Sequence, residues 1–557
     1  MPANGNLKLA SLDATQRPLM NTRQPLCAST RKSNFLSVKQ CGYLLALIFL
    51  CLFFIVPVIA EAQPEAVIYW NPWVTKTKTD SATINWYGSG SKAGKIDYAT
   101  TSYYNDIEHY HTFNKKAESS TPGAYQHVQL TALEPNTSYT YRVTTSDTPE
   151  HVFSDRTFHT MPESGPFTFI VISDTHAQEG RFINVAEAIA ANETDALFIL
   201  DGGDYSGHDS QQEWNLYFEA ANLMLAKFAI FNTIGNHEYH GSLPETPALH
   251  YHGAFDILPN GALNYSFDCA GIRFVILNSP DPSSEGDPSP TLPLALSQAS
   301  WLRDQLDNNM LGTFTIHHHP IWDFGRTTIN TNLQPWETLY HAYPISATFS
   351  GHTHTYQRYS VWGIPYFVVA NAGGGFSNLT PPYAVWWITG ETRKLGYLRV
   401  TVDPANNTAT ATEFFVGYVV NNTDTKVIPI TPPEPYDTIT FPLKPTGGGG
   451  ANCFIATAAF GSYFDPSVKI LRDFRDKFLF TNHVGQSFVN WYYKVSPPLA
   501  DFISTREIMK TMVRIILLPA VGFAYLCLNV GVLPALLLLL LSAAFIYLGI
   551  RRFYRFR

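Results

Sequence analysis

Short apolar runs of strand length recur between about residues 167 and 350. Phe167 to Ser173, Ala196 to Leu200, Phe228 to Ile234, Thr313 to Ile316 and Ile345 to Ser350 are β-branched, aromatic or Leu-rich, as buried strands are. Asn184 to Asn192 and Gln298 to Leu306 read as helices between such runs, which predicts an α/β layer structure over 166–417. Pro365 to Ala370, Tyr397 to Val402 and Ala409 to Val416 add later strands. Upstream the pattern changes to alternation. Ala82 to Tyr87, His127 to Leu130 and Ser138 to Thr145 alternate, and Leu133 to Tyr139 is a turn leading into the last of them. Short strands with turn signals at this spacing predict a small all-β sandwich over 63–162, with Met161 to Gly165 as the join.

Two longer apolar tracts flank these regions. Tyr43 to Ala60 comes after Arg31, Lys32 and Lys39 and meets Ala60-Glu-Ala62, a small-residue cleavage site. Residues 1–62 therefore read as a leader with a signal peptide, or with an uncleaved signal anchor, since the run approaches spanning length. Either one exports the β-rich and α/β regions downstream of it. Ile515 to Ile550 predicts a transmembrane or interfacial region, with a basic tail at 551–557. Val532 to Ile550 alone can span a bilayer. Pro519 and Pro534 break the earlier part, which places Ile515 to Asn529 in the interface, and the terminal arginines belong on the cytoplasmic side. Residues 418–450, Pro-rich and ending in Gly447 to Gly450, read as a flexible linker. Beyond it, Asn452-Cys-Phe-Ile-Ala-Thr-Ala-Ala-Phe-Gly461 and Leu471-Arg-Asp-Phe-Arg-Asp476 resemble the CFI-box module of various exported bacterial proteins, here over 451–514.

Composition narrows the function classes. The net charge of −8, with no basic stripe in the soluble part, gives no reason to expect nucleic-acid binding. Of the cysteines, only Cys269 and Cys453 lie outside the leader and the apolar ends, so neither a disulfide framework nor a Cys-type zinc site is expected.

The chemistry sits just past the apolar runs. Asp174-Thr-His176, Gly203-Asp204, Gly235-Asn236-His237-Glu238, His317-His318-His319-Pro320 and Gly351-His352-Thr353-His354 each come directly after one. Ligands at the carboxyl ends of strands in an α/β fold converge on one crevice. Imidazole, carboxylate and amide oxygen suit Zn, Fe and Mn rather than soft Cu(I). A carboxylate can bridge two cations. Two metals about 3.5–4 Å apart can hold a phosphoryl oxygen, generate hydroxide near neutral pH and stabilise an in-line displacement. A lone His is usually structural and a lone Gly-Asp means little; the weight lies in the motifs together.

In that order the motifs resemble the calcineurin-like metallophosphoesterases, and more narrowly the purple acid phosphatase branch. Gly351-His-Thr-His-Thr-Tyr-Gln-Arg358 is close to that branch's Gly-His-x-His-x-Tyr-x-Arg signature. The resemblance implies a multidomain chain. A fibronectin type III-like sandwich precedes an αββα sandwich catalytic domain, and a C-terminal helical or transmembrane segment comes last. It implies two divalent or trivalent metal ions, with Fe, Zn and Mn all open. Asp174, His176, Asp204 and His354 would hold one, and Asp204, Asn236, His318 and His352 the other, with Asp204 as the bridge. His318 is chosen because the family ligand lies two residues before the proline. His237 would be the catalytic residue, contacting the phosphoryl group beside Asn236 and assisting the leaving oxygen. His317 and His319 read as supporting, packing or substrate-contacting groups.

One position departs from the branch. Gly207 stands where the purple enzymes carry their iron-binding Tyr, and His176 fills the usual metallophosphoesterase position, which argues against a ferric–tyrosinate centre. The family's further substrate-contacting histidines have no match in Ile321 to Thr328. His240, His250 and His252 read as loop residues, Glu238 as a group that orients a ligand or caps a helix, and Asp209 has no assigned role. Asn371-Ala-Gly-Gly-Gly375 either lets backbone approach the site or turns the chain. The implied function is an exported, membrane-tethered hydrolase of phosphate monoesters that works by attack of a metal-bound hydroxide. The rivals are a phosphodiesterase or nucleotide hydrolase on the same fold, and a non-enzymatic surface adhesion protein. Loops Pro280 to Pro293 and Ile321 to Asn332 carry no readable substrate code.

Overall fold

The computed structural model describes residues 67–444, except 91–92, 120–122, 241–247, 258–260, 285–286, 308, 324–329, 344, 362, 380, 382–385 and 423, and parts of 455–541. The expected leader, Cys453, the glycine spacer, most of Val532 to Ile550 and the basic tail lie outside the described residues.

An N-terminal β-rich region holds β1 (Tyr69–Thr75), β2 (Ala82–Gly88), β3 (Gly94–Thr100), β4 (Lys115–Glu118), β5 (Tyr125–Leu130), β6 (Ser138–Thr145) and β7 (Arg156–His159). They form two antiparallel sheets, ordered β1-β2-β5 and β4-β3-β6-β7. Period-2 alternation sends Ile84 and Trp86 of one sheet, and Tyr139, Tyr141 and Val143 of the other, into a common core. The opposite face of the β1–β2 pair is also covered. Trp70, Trp73 and Tyr87 join a second cluster with the helix Gln211–Ala220. Phe218 of that helix stacks on Trp70 at 4.3 Å between ring centroids and meets Trp73 at 4.4 Å. Trp70 Nε1 donates to Asn215 Oδ1 at 2.6 Å, and Tyr87 Oη donates to Gln211 Oε1 at 2.7 Å. Phe218→Ala is expected to destabilise the protein by about 3–5 kcal/mol, the range for losing a buried Phe. Denaturant unfolding measures it; a loss below about 1 kcal/mol would mean that this aromatic wall contributes little.

The strands continue as β8 (Phe167–Ile172), β9 (Ala196–Asp201), β10 (Ala229–Asn232), β11 (Tyr265–Cys269), β12 (Ile272–Ile276), β13 (Gly312–Ile316), β14 (Ala347–Ser350), β15 (Tyr356–Val361) and β16 (Ile364–Val369). Then come β17 (Trp387–Glu391), β18 (Lys394–Asp403), β19 (Thr408–Tyr418) and β20 (Ile428–Pro442). One sheet runs β10-β9-β8-β18-β19-β20 and the other β11-β12-β13-β14-β16-β15-β17. β8, β9 and β10 are mutually parallel, as are β12, β13, β14 and β16. The sheets meet through interleaved phenylalanines, with Phe169 at 5.1 Å from Phe274 and 5.4 Å from Phe314. Helices cover the outer faces: Phe182–Asn192 and Gln211–Ala220 on the first sheet, Leu292–Leu306 and Gln334–Ala342 on the second.

Two expectations from the sequence need correction. Much of the expected 418–450 linker is strand: β20 pairs with β19 from Ile428↔Tyr418 to Pro442↔Thr408, so the sheet runs past residue 417. β20 is the edge of its sheet, where a proline facing away from β19 costs no ladder bond, and Pro432 and Pro433 fall in the stretch between Pro429 and Glu434 where the register shifts. Asp437 on β20 accepts Tyr356 Oη at 2.7 Å and Arg358 Nε and Nη2 at 2.6 and 2.8 Å, which locks the signature strand β15 to this edge. Secondly, Pro519 does not end a helix. Glu507–Val530 is continuous through it and stops at Gly531, whose φ is 89°. Proline removes one backbone bond, and the apolar helix formers on both sides carry the run past it.

Glu413 on β19 is fully buried and accepts Asn371 Nδ2 at 2.9 Å. Burial pushes its carboxyl up to about 8. The folded protein therefore holds this proton more tightly than the unfolded chain does. That contribution is complete below about pH 4.5 and is lost as pH rises through about 8. Glu413→Gln, which cannot ionise, is expected to match wild type near pH 4.5 and to be the more heat-stable protein at pH 8. Calorimetric scans across that range read the gap; a constant difference would contradict it.

Candidate metal centre

The motif residues sit where parallel strands end. Asp174 and His176 come after β8, Asp204 after β9, and Asn236 and His237 after β10. His318 comes after β13, and His352 and His354 after β14. Both sheets thus contribute to one crevice at their carboxyl ends. Asp174, His176, Asp204, His352 and His354 all have left-handed backbone, with φ of 57, 37, 58, 73 and 50°. Such conformations are uncommon outside glycine and collect at functional sites. Glycines let the loops close up: a Cβ on Gly235 would lie 2.1 Å from Asp204 Oδ1.

Two donor groups result, each with ligand atoms within 4.8 Å of one another: Asp174, His176, Asp204 and His354, and Asp204, His318 and His352. Asp204 is common to both. Its Oδ2 is 3.2 Å from His318 Nε2 and 3.5 Å from His176 Nε2. Asn236 Oδ1 lies 2.8 Å from His318 Nε2 and 3.1 Å from His352 Nδ1.

The donor set suits cations. His318 Nδ1 donates to Gly202 O at 2.9 Å and His354 Nδ1 donates to Gly375 O, so each ring turns its Nε2, the atom that would ligate a metal, inward. His354 Nε2 faces His176 Nε2 at 3.1 Å and Asp174 Oδ1 at 3.4 Å. Asp174 Oδ2 accepts Ser173 Oγ and the His352 N–H, while its buried Oδ1 has no hydrogen-bond partner. Convergent lone pairs with an orphaned carboxylate oxygen are what a metal pair would satisfy. The electrostatics agree. Burial pushes Asp174 up to about 7, and it pushes His352 down to about 4 and His354 down to about 3. Burial also opposes the His318 imidazolium, yet Asp204, with Asp174 and the Gly202 carbonyl, outweighs it and raises that ring to about 10. Without metal, a proton on His318 balances Asp204; a cation would displace it.

Residues 167–356 match the family model for the calcineurin-like phosphoesterases. The chain carries a calcineurin-like phosphoesterase domain. It is 27% identical over 293 residues to purple acid phosphatase 22 of Arabidopsis thaliana, covering 48% of this chain and 60% of that protein. Against purple acid phosphatase 21 of the same plant it is 26% identical over 260 residues, covering 42% and 54%. The chain thus spans a little over half the length of these relatives. Among solved structures it resembles the purple acid phosphatase PPD1 from yellow lupin seeds, with a TM-score of 0.51, 14% identity, and 68% of this chain and 75% of that one covered. It also resembles PhoD, with a TM-score of 0.54, 14% identity, and 67% and 90% covered. At that identity the likeness is one of fold.

Around the candidate metal centre, the surrounding residues have defined partners. His237 Nδ1 donates at 2.8 Å to the carbonyl of Gly207, the position of the missing Tyr, and its Nε2 lies 4.0 Å from Asp204 Oδ2. Glu238 takes the backbone N–H groups of Asp204, Tyr205 and Gly235. The triglycine stretch does approach the site. Gly374 N donates to Asp174 O, and a Cβ on Gly373 would lie 1.9 Å from Thr175 O. His319 offers substrate no open face: it is 3% exposed, its Nδ1 pairs with Ser279 Oγ, and its ring lies 4.2 Å behind His352. His317 is packed against Trp336 with its Nδ1 on His319 O. Of the three loop histidines, His240 borders the site, 4.4 Å from His237 between ring centroids. His250 instead pairs with Tyr125 Oη of the β-rich region, and His252 is buried in the helix Leu249–Ala254. Asp209 caps that helix by accepting the His250 and Tyr251 N–H groups, and it also takes Trp214 Nε1. Arg181 had no sequence signal at all. It is buried, with its guanidinium on the carbonyls of Gly374, Asn422 and Asp424, and it braces the triglycine loop.

Proposed function

We propose that this protein is an exported, membrane-tethered, binuclear metal-dependent phosphoesterase that hydrolyses phosphate monoesters. The observation that carries the reading is the sharing of Asp204 by two adjacent donor groups. Asp174, His176, Asp204 and His354 would hold one metal, and Asp204, Asn236, His318 and His352 the other. Mixed nitrogen and oxygen donors are compatible with Fe, Zn or Mn. When bound, such a pair supplies Lewis-acid polarisation of a phosphoryl oxygen and activates water.

The chain's own residues do the rest. Burial lowers the His237 pKa, Gly207 O holds its Nδ1 hydrogen, and its Nε2 points to the Asp204 side. That geometry supports Nε2 as the atom that contacts the phosphoryl group and, in the imidazolium form populated at acid pH, passes its proton to the departing oxygen. The preference for monoesters rests on the purple acid phosphatases to which the chain is similar. The tether reading rests on Glu507–Val530, 24 residues of mean hydropathy 1.9 in its apolar window, with 17% of that window buried. The β-rich region fits a fibronectin type III-like packing module, and the segment after the phosphoesterase domain a CFI-box-like module.

The test is metal content together with hydrolysis of a chromogenic phosphomonoester and diester by the full chain. About two metals per chain and faster monoester turnover are expected. Faster diester turnover would move the substrate class. No metal and no turnover after reconstitution with Zn, Mn and Fe would defeat the hydrolase reading and favour a surface protein.

A further inference from the structure

Asp287 belongs to the loop between β12 and the helix Leu292–Leu306, outside every motif. Its Oδ1 accepts Asn236 Nδ2 at 2.8 Å and His240 Nε2 at 2.9 Å. Described residues on both sides of Asp287 are tied together. Asp281 and Ser289 form a β-bridge across its base, Thr291 Oγ1 donates to Asp281 Oδ2, and Ser289 Oγ donates to Asp287 O at 3.1 Å.

A side-chain amide has an accepting end and a donating end, whereas a carboxylate only accepts. Asp287 can therefore face only the Nδ2 end of Asn236. The Oδ1 end must turn the other way, to its place 2.8 Å from His318 Nε2 and 3.1 Å from His352 Nδ1. A flipped amide would set oxygen against carboxylate and N–H groups into the donor cluster. The same Asp287 oxygen holds the His240 ring beside His237, at 4.4 Å between centroids.

We propose that Asp287 is a positioning residue of the metal centre. It selects the amide face that Asn236 offers to the metal shared by Asp204, His318 and His352, and it fixes His240 next to His237. The proposal rests on the binuclear reading of the site. Zn2+ titrated into the metal-free full chain against a chromophoric chelator tests it, with wild type, Asp287→Ala and Asp287→Asn compared. Asp287→Ala is expected to weaken one of two Zn2+ by about 10–100-fold, as loss of an outer partner of a ligand does. The other Zn2+ should bind as in wild type, and the metal-free unfolding temperature should not move. Asp287→Asn should recover most of the loss, because its amide oxygen can still accept both hydrogens. Unchanged Zn2+ binding in Asp287→Ala would overturn the proposal and leave the hydrolase reading standing. So would weakening of both Zn2+ together with a lowered unfolding temperature, which marks a loop-folding role. A wild-type chain that takes up no Zn2+ would overturn both.

Discussion

Asp204→Ala is expected to empty both metal positions and to lower phosphomonoester turnover by more than about a hundredfold, beyond the 10–100-fold typical of losing an outer partner. The reason is geometric. Asp204 is the only side chain common to the two donor groups, and its Oδ2 stands within 4.0 Å of His176, His237 and His318. Removing it takes an anionic donor from each group. It also leaves His318 without the charge that raises its pKa. Mass spectrometry of bound metal, run beside turnover, checks this. Full metal content in the variant would mean that Asp204 is not the bridge.

The site was legible in the sequence because strand ends are. A buried β-strand shows itself as a short apolar run, and the residue after it must emerge at the sheet's carboxyl edge. Asp174, Asp204, Asn236, His352 and the run His317 to His319 could be brought together on that ground, with His318 chosen from the run by the family's spacing to Pro320, and the structure places Asp174, Asp204, Asn236, His318 and His352 in one crevice. What could not be read depends on contacts between distant segments. Asp287 reaches Asn236 across 51 positions, and Arg181 reaches Gly374 across 193. Neither pairing has a local pattern. His319 looked the equal of His318 in a run of imidazoles; only the pleat of the chain after β13 turns one toward Asp204 and the other behind His352.

Composition misled where edge position overrode it. Four prolines between Pro429 and Pro435 spell a linker, yet an edge strand needs N–H groups on one side only, and β20 forms. Asp437, the partner of Arg358, was hidden inside that misreading. The alternating strands of the β-rich region were legible for the opposite reason: their period-2 pattern is local. Trp70 and Trp73 of β1, which face the helix Gln211–Ala220, gave no sign of their partner, because it is distant in sequence: Trp70 reaches Asn215 across 145 positions.

Glu238→Ala is expected to destabilise the metal-free protein by about 3–5 kcal/mol, the scale of stranding several buried donors at once. Glu238 is fully buried, and its carboxylate accepts N–H from Gly235 at 2.7 Å, Tyr205 at 2.9 Å and Asp204 at 3.0 Å. Without it, three donors in the loops after β9 and β10 lose this acceptor, each worth about 1–3 kcal/mol. Part of that is offset, because holding a carboxyl here is itself unfavourable: burial, then the charge of Asp204, pushes it up to about 8. The Asp204 backbone, with φ of 58°, is one of the strained conformations these bonds sustain. Freed of them it should relax, and metal affinity should fall with stability. Glu238→Gln keeps one accepting oxygen and should lose less. Denaturant unfolding of the metal-free proteins, followed by Zn2+ titration, separates the two effects. An Ala variant as stable as wild type would show that the loops hold their own shape, and weakened Zn2+ binding in that variant would then have to come through charge rather than through the backbone of Asp204.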